Sequence, residues 1–182
     1  MTNTAKLSFV TLVLGAFLAC PGPGDHSNND ASKLTYTNPT QGEYRLEAVG
    51  GSDTGTVTLV LRGPSYVMAR GANFGLDMDT AKAGYVKQGA DYAGQGTVFD
   101  LGADPKIFSA VLDAGNLRVS MAQKGSSVSA KSLGGDIATV QVQLQPGAQR
   151  GPVQLKALPA KVLLDNGTEQ TIQVSVGTLE AQ

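Results

Sequence analysis

The sequence predicts an all-β protein, an antiparallel β-sandwich or jelly roll of about nine strands. Three observations carry this reading. From about Leu34 onward apolar residues recur at every second position, in one short run after another. The runs are separated by Gly, Pro, Asn and Asp turn signals, among 23 Gly and 8 Pro in 182 residues. Helical spacing has a single short candidate, Asp79–Gln88, which Gly84 weakens.

The chain opens with a different kind of segment. Lys6 is the only charge before Asp25, and ten of the thirteen residues Leu7–Ala19 are apolar. As a helix this run spans about 20 Å, short of the ~30 Å hydrocarbon core of a bilayer. A basic start, a short apolar stretch and small residues at its end predict a signal peptide over 1–19. Residues 20–33 follow; from Pro21 they read PGPGDHSNNDASK, with no large apolar side chain. Such a stretch buries too little to offset its ordering entropy, so a flexible tether is expected, reaching at most about 45 Å. One domain is then expected over 34–182.

Within that domain the strands are read from parity. Val57, Leu59 and Leu61 alternate with Thr56, Thr58 and Val60; Leu117, Val119 and Met121 with Asn116, Arg118 and Ser120; and Ala138, Val140, Val142 and Leu144 with Thr139, Gln141, Gln143 and Gln145. Val153, Leu155 and Ala157 form another run, and Ile172, Val174 and Val176 a last one. Successive side chains of a strand point to opposite faces, so each run has one buried and one wet face, the mark of antiparallel sheets. Tyr44–Val49, Tyr66–Ala69, Asn73–Met78, Thr97–Leu101 and Phe108–Leu112 are further candidates. Asp165-Asn166-Gly167, between Val162–Leu164 and Gln170–Val176, predicts a hairpin.

Composition excludes several functions. With 14 basic and 15 acidic residues the chain has no electrostatic footprint for nucleic acid. Cys20 and His26 are its only Cys and His, and both precede the predicted domain. Nucleophilic triads and zinc cages therefore lack their ligands there, and no enzyme activity is expected. No cofactor or metal site is predicted. Asp77 and Asp79 are the closest carboxylate pair and the candidates for Ca²⁺, but no Asp-x-Asp-x-Asp-Gly series accompanies them. There is no Trp, so a sugar platform would fall to tyrosines. Tyr85 and Tyr92, in a Gly-rich stretch with Lys87 and Asp91, are the candidate ligand-binding pair; packing of a ring on the sandwich edge is the alternative.

Two resemblances add to this. Phe17-Leu18-Ala19-Cys20 resembles the lipobox of bacterial lipoproteins, although that family prefers Leu and a small residue where Phe17 and Leu18 stand. The resemblance implies a covalent lipid on Cys20 after cleavage before it, and hence an exported protein anchored in a bilayer, on the outer membrane because Pro21 replaces the Asp that retains lipoproteins at the inner one. Asn73-Phe74-Gly75-Leu76-Asp77-Met78-Asp79, Gly115-Asn116-Leu117-Arg118-Val119-Ser120, Gly135-Asp136-Ile137-Ala138-Thr139-Val140-Gln141-Val142 and the closing Val174-Ser175-Val176-Gly177-Thr178-Leu179 resemble, in order, strands of cohesin-like domains. That bacterial β-sandwich family includes the dockerin receptors of cellulosomes. It implies a non-enzymatic module that binds another envelope or extracellular protein or builds an envelope structure, with polysaccharide as the alternative partner; no binding residue carries over.

Overall fold

The computed structural model describes residues 29–50, 55–102, 107–125 and 127–182. The signal peptide, Cys20 and most of the tether lie outside them. Fifteen strands run β1 Leu34–Thr37, β2 Tyr44–Val49, β3 Thr56–Arg62, β4 Met68–Met78, β5 Ala83–Tyr85, β6 Gly94–Gln95, β7 Phe108–Asp113, β8 Asn116–Ala122, β9 Lys131–Ser132, β10 Asp136–Leu144, β11 Gly151–Val153, β12 Leu155–Leu164, β13 Glu169–Ile172, β14 Val174–Ser175 and β15 Thr178–Ala181. Several have only two to four residues, which is how a fold of about nine long runs comes to contain fifteen.

Two six-stranded sheets face each other. One has the order β14-β2-β3-β10-β5, with β6 also on β10; the other has the order β13-β12-β4-β8-β7, with β9 also on β4. Leu46, Leu59, Leu61, Val140 and Val142 from the first meet Phe74, Leu76, Leu117, Val119 and Val162 from the second in one buried cluster. Each such side chain contributes about 1.5–3 kcal/mol by leaving water. A third sheet, β1-β15-β11, adds Leu34, Leu179 and Val153 to the same core. The pairings are antiparallel except β14 on β2, which is parallel.

The chain changes sheets at two single residues. β13 pairs with β12, and after Gln173 the chain continues as β14 beside β2. Ile172 and Val174 keep the same parity and both stay buried, so one alternating run serves two sheets. Gln154 plays the same part between β11 and β12, and its carbonyl accepts the Asp79 N–H. In β12 the proline at 159 has no N–H to give, and the register shifts between Leu158 and Lys161. The Asn73 side chain fills that gap: its Oδ1 accepts the Lys161 N–H at 3.0 Å.

Five expectations are corrected. Asp79–Gln88 is no helix: the Asp79 carboxylate takes the Ala81 N–H in a turn, and Ala83–Tyr85 forms β5. Thr97–Leu101 is no strand, although Val98, Phe99 and Leu101 are buried. Its backbone is met by single groups instead, the Asp136 carbonyl at Thr97 and Val98 and the Gln123 Oε1 at Asp100. The separate candidates Tyr66–Ala69 and Asn73–Met78 meet in one strand, β4, because Gly71 lets the Met121 carbonyl approach to 2.6 Å of where a Cβ would stand. The run Val153–Ala157 divides between β11 and β12, and β12 extends through Pro159 to Leu164. Finally, the segment 29–33 is held on the domain and not part of a free tether. Ala31 donates to the Ala148 carbonyl, Ser32 and Lys33 to that of Gln182, and Gln149 Nε2 to Asp30 Oδ1 at 2.8 Å.

The β7–β8 hairpin turns on Ala114 and Gly115, with φ of 46° and 85°. Two consecutive left-handed residues suit the strand twist, but an alanine there is strained. Ala114→Gly is expected to raise the unfolding free energy by about 1 kcal/mol, measured by denaturant titration.

Candidate functional site

The outer face of the β13-β12-β4-β8-β7 sheet is built from small and polar residues. By parity β4 turns Gly71, Asn73, Gly75 and Asp77 outward, and β8 turns out Asn116, Arg118, Ser120 and Ala122. β7 adds Ser109 and Val111, the latter 57% exposed, and β12 adds Lys156, Leu158, Lys161 and Leu163. Glycine in a central strand often marks a place where another chain comes close. Here two of them lower the middle of the face between taller neighbours. The result is two adjoining depressions that share Asn73 and Ser120. One, of about 430 Å³, runs over Gly75 between Arg118 and Leu158–Pro159. The other, of about 230 Å³, runs over Gly71 between Ser109 and the Lys161–Glu169 ion pair, whose Nζ–Oε2 distance is 2.7 Å.

The opposite outer face is occupied differently. Across β2, β3 and β10 runs a chain of ion pairs: Arg45 to Glu47 at 3.0 Å, Glu47 to Arg62 at 3.3 Å and Arg62 to Asp136 at 2.9 Å. The hydrogen bond to Asp136 pushes the Arg62 pKa up, with both carboxylates adding to it. Farther along, the Gln88 side chain reaches the Thr139 carbonyl at 3.3 Å, so the 86–93 loop lies against the Thr/Gln face of β10. The same loop guards the edge of the other sheet. The Tyr92 N–H donates to the Ala110 carbonyl at 3.2 Å, and the Ala110 N–H donates to Asp91 Oδ1 at 2.9 Å. That part of β7 is therefore closed to strand addition.

The predicted site residues do not gather. Cys20 lies outside the described residues. Tyr85 is 8% exposed, a correction to its reading as a surface ring: it pairs with Val142 on the inward parity and packs into the core. Tyr92 is half-buried, with Lys87 Nζ 5.8 Å from its ring centre. The exposed ring is Tyr66, at 71%, and its hydroxyl donates to Glu43. Asp77 stands opposite Lys156 and Asn116, and Asp79 caps its own turn. Among the described residues no group of three or more His, Cys, Asp or Glu could hold a metal ion.

The Tyr85 hydroxyl is buried with no hydrogen-bond partner among the described residues. Desolvation, with the Asp77 charge as a smaller cause, pushes its pKa far above the usual tyrosine value. Burial pushes that of Tyr44 up as well. A phenol whose pKa is raised by folding stabilises the fold fully below the unfolded value of about 10. That stabilisation is lost as pH rises through the folded value. Alkaline unfolding is therefore expected, and Tyr85→Phe should move its midpoint to higher pH while leaving neutral stability equal or up to about 1 kcal/mol greater. A pH-jump circular dichroism series checks both.

No family model matches the sequence, and no curated protein matches it. Solved structures do match in shape. A cohesin from scaffoldin B of Acetivibrio cellulolyticus, crystallised in complex with a dockerin, has a TM-score of 0.57 at 17% identity over 76% of this chain and 97% of its own. A type II cohesin from the cellulosome of the same organism has a TM-score of 0.53 at 15% identity, covering 82% and 94%. A cohesin in a type I cohesin–dockerin complex from Clostridium thermocellum has 0.51 at 12%, covering 80% and 96%. The fold is thus a cohesin-like β-sandwich.

Proposed function

We propose that this chain is a non-enzymatic, protein-binding module of the bacterial cell envelope, held on a membrane by lipid at Cys20. It engages its partner through the outer face of the β13-β12-β4-β8-β7 sheet. The observation that carries the reading is the contrast between the two outer faces. One carries an ion-pair chain, a covering loop and, at its β5–β10 edge, a separate depression of about 410 Å³ beside Lys87, Gln143 and Pro146; the other offers two adjoining grooves across its central strands, floored by Gly71 and Gly75. Structural neighbours of this fold, though distant in sequence, were crystallised holding dockerins, which supports protein capture as the use of such a scaffold. Confinement to a membrane raises effective concentration, so a modest contact suffices for a productive complex.

The test separates anchor from face. Cys20→Ala is expected to move the protein from the membrane to the soluble fraction of the cell. Ser120→Trp, which fills the junction of the two grooves, is expected to keep the thermal transition and lose the crosslinked partner. A Cys20→Ala protein that fractionates like the native one overturns the anchor, and a Ser120→Trp protein that keeps its partner overturns the face.

A further inference from the structure

Within the larger groove one charged group is left without a mate. The chain has five arginines. Arg45 and Arg62 share Glu47, Arg70 pairs with Asp165 at 2.8 Å, and Arg150 Nε donates to the Asp30 carbonyl at 3.3 Å. Arg118 makes no ion pair or hydrogen bond among the described residues. Asp77 and Asp113 stand at its diagonal positions across β4 and β7, yet neither carboxylate comes within ion-pair distance.

Its surroundings say what would complete it. Directly across on β4 lies Gly75, which puts no side chain between Arg118 and Leu158 of β12; Leu158 leans over the glycine, its Cβ and Cδ1 3.1 Å from where a Cβ would stand. Next along are Asn73 and Ser120, which face each other in register. Asn73 Oδ1 is already used by the Lys161 N–H, which leaves its Nδ2 as a spare donor on the groove. Arg118, Asn73 Nδ2 and the Ser120 hydroxyl are thus three sources of hydrogen-bond donors on one floor, bounded by Leu158–Pro159, with the exposed Val111 in register with Arg118 on β7 beyond it. A donor set with a forked guanidinium asks for a planar anion, and the apolar Leu158–Pro159 wall asks for a hydrocarbon neighbour. A single cation on a chain of net charge −1 does not suit a polyphosphate backbone.

We propose that the groove over Gly75 recognises an acidic side chain, Asp or Glu, next to an aliphatic residue on the partner protein, with Arg118 as the residue that reads the carboxylate. This inference rests on the proposed use of the sheet face and names the chemistry of what docks there.

The test is selection of random phage-displayed peptides on the full chain, on Arg118→Glu and on Arg118→Lys. Because Arg118 is exposed and unpaired, both variants are expected to keep the native thermal transition. The native chain is expected to enrich peptides with Asp or Glu beside an aliphatic residue. The same peptides should bind Arg118→Glu at least about tenfold more weakly, and Arg118→Lys should retain the acidic preference at lower affinity. Peptides without acidic bias, equal binding by Arg118→Glu, or no selected peptide at all overturns the proposal. A protein partner crosslinked at Ser120 that binds Arg118→Glu undiminished removes the carboxylate reading alone, whereas no crosslink at Ser120 removes the face itself.

Discussion

Phe74→Ala is expected to lower the unfolding free energy by about 3–5 kcal/mol, the largest effect of any single truncation considered for this domain. Phe74 sits in β4, whose neighbours are β12 and β8, and is 3% exposed. It lies in register with Val119 on β8, which is fully buried. Large rings bury the most area, and neighbours locked in a sheet on both sides collapse little into the space they leave. The partner-facing residues Asn73 and Gly75 are adjacent in the same strand but on the opposite parity. Phe74→Ala should therefore lower the thermal midpoint while partner affinity, measured well below that midpoint, changes little.

Gly177→Ala is expected to cost about 3 kcal/mol by a different route. A Cβ at 177 would lie 1.9 Å from the Thr37 carbonyl oxygen and 2.9 Å from the Tyr36 ring. The obstacle is backbone, so relief requires β1 to move away from the segment leading into β15. That motion also breaks a knot of hydrogen bonds: the Gly177 N–H donates to the Tyr36 hydroxyl at 2.6 Å, and that hydroxyl donates to the Leu46 carbonyl at 2.9 Å. A fall of roughly 10 °C in Tm is expected, since a domain of this size loses about 2–4 °C per kcal/mol. Tyr36→Phe, which leaves the same two groups unpaired without the clash, should lose about 1–3 kcal/mol. The contrast with Tyr85→Phe, expected to be neutral or stabilising, separates a phenol that ties three segments together from one that is merely enclosed.

Where an alternating run stays within one sheet, its strand was legible. β8 and β10 follow the parity of Leu117–Met121 and Ala138–Leu144, and β3 that of Val57–Leu61, except that Val60, read as facing water, is buried as well at 1% exposed. Period two reports which side of a strand is buried, and nothing about which sheet the strand joins. Ile172–Val176 therefore reads as one strand but serves two sheets. Val98, Phe99 and Leu101 read as a strand because they are apolar, yet their burial comes from a loop pinned by Asp136 and Gln123. The site was hidden for a related reason. Gly71 and Gly75 interrupt the pattern of β4 and look like breaks, although their lack of side chains is what shapes the grooves. Parity shows that Arg118 and Ser120 point outward, but only the register on β4 shows that Arg118 stands across from Gly75 and Ser120 across from Asn73. Of the two readings open for Tyr85, a surface ring in a Gly-rich stretch or a ring packed on the sandwich, the pairing of β5 with β10 favours the second by turning the ring inward.

The most direct test of partner capture by the grooved face is a reciprocal crosslinking scan in cells. A photoreactive amino acid is placed in turn at Ser109 and Ser120 on that face, and at Gln141 and Gln143 on the opposite sheet. Crosslinking to one defined protein from the first two positions and not from the second two is the predicted result. Crosslinks from Gln141 or Gln143 with none from Ser109 or Ser120 would contradict it, assigning the partner to the other face.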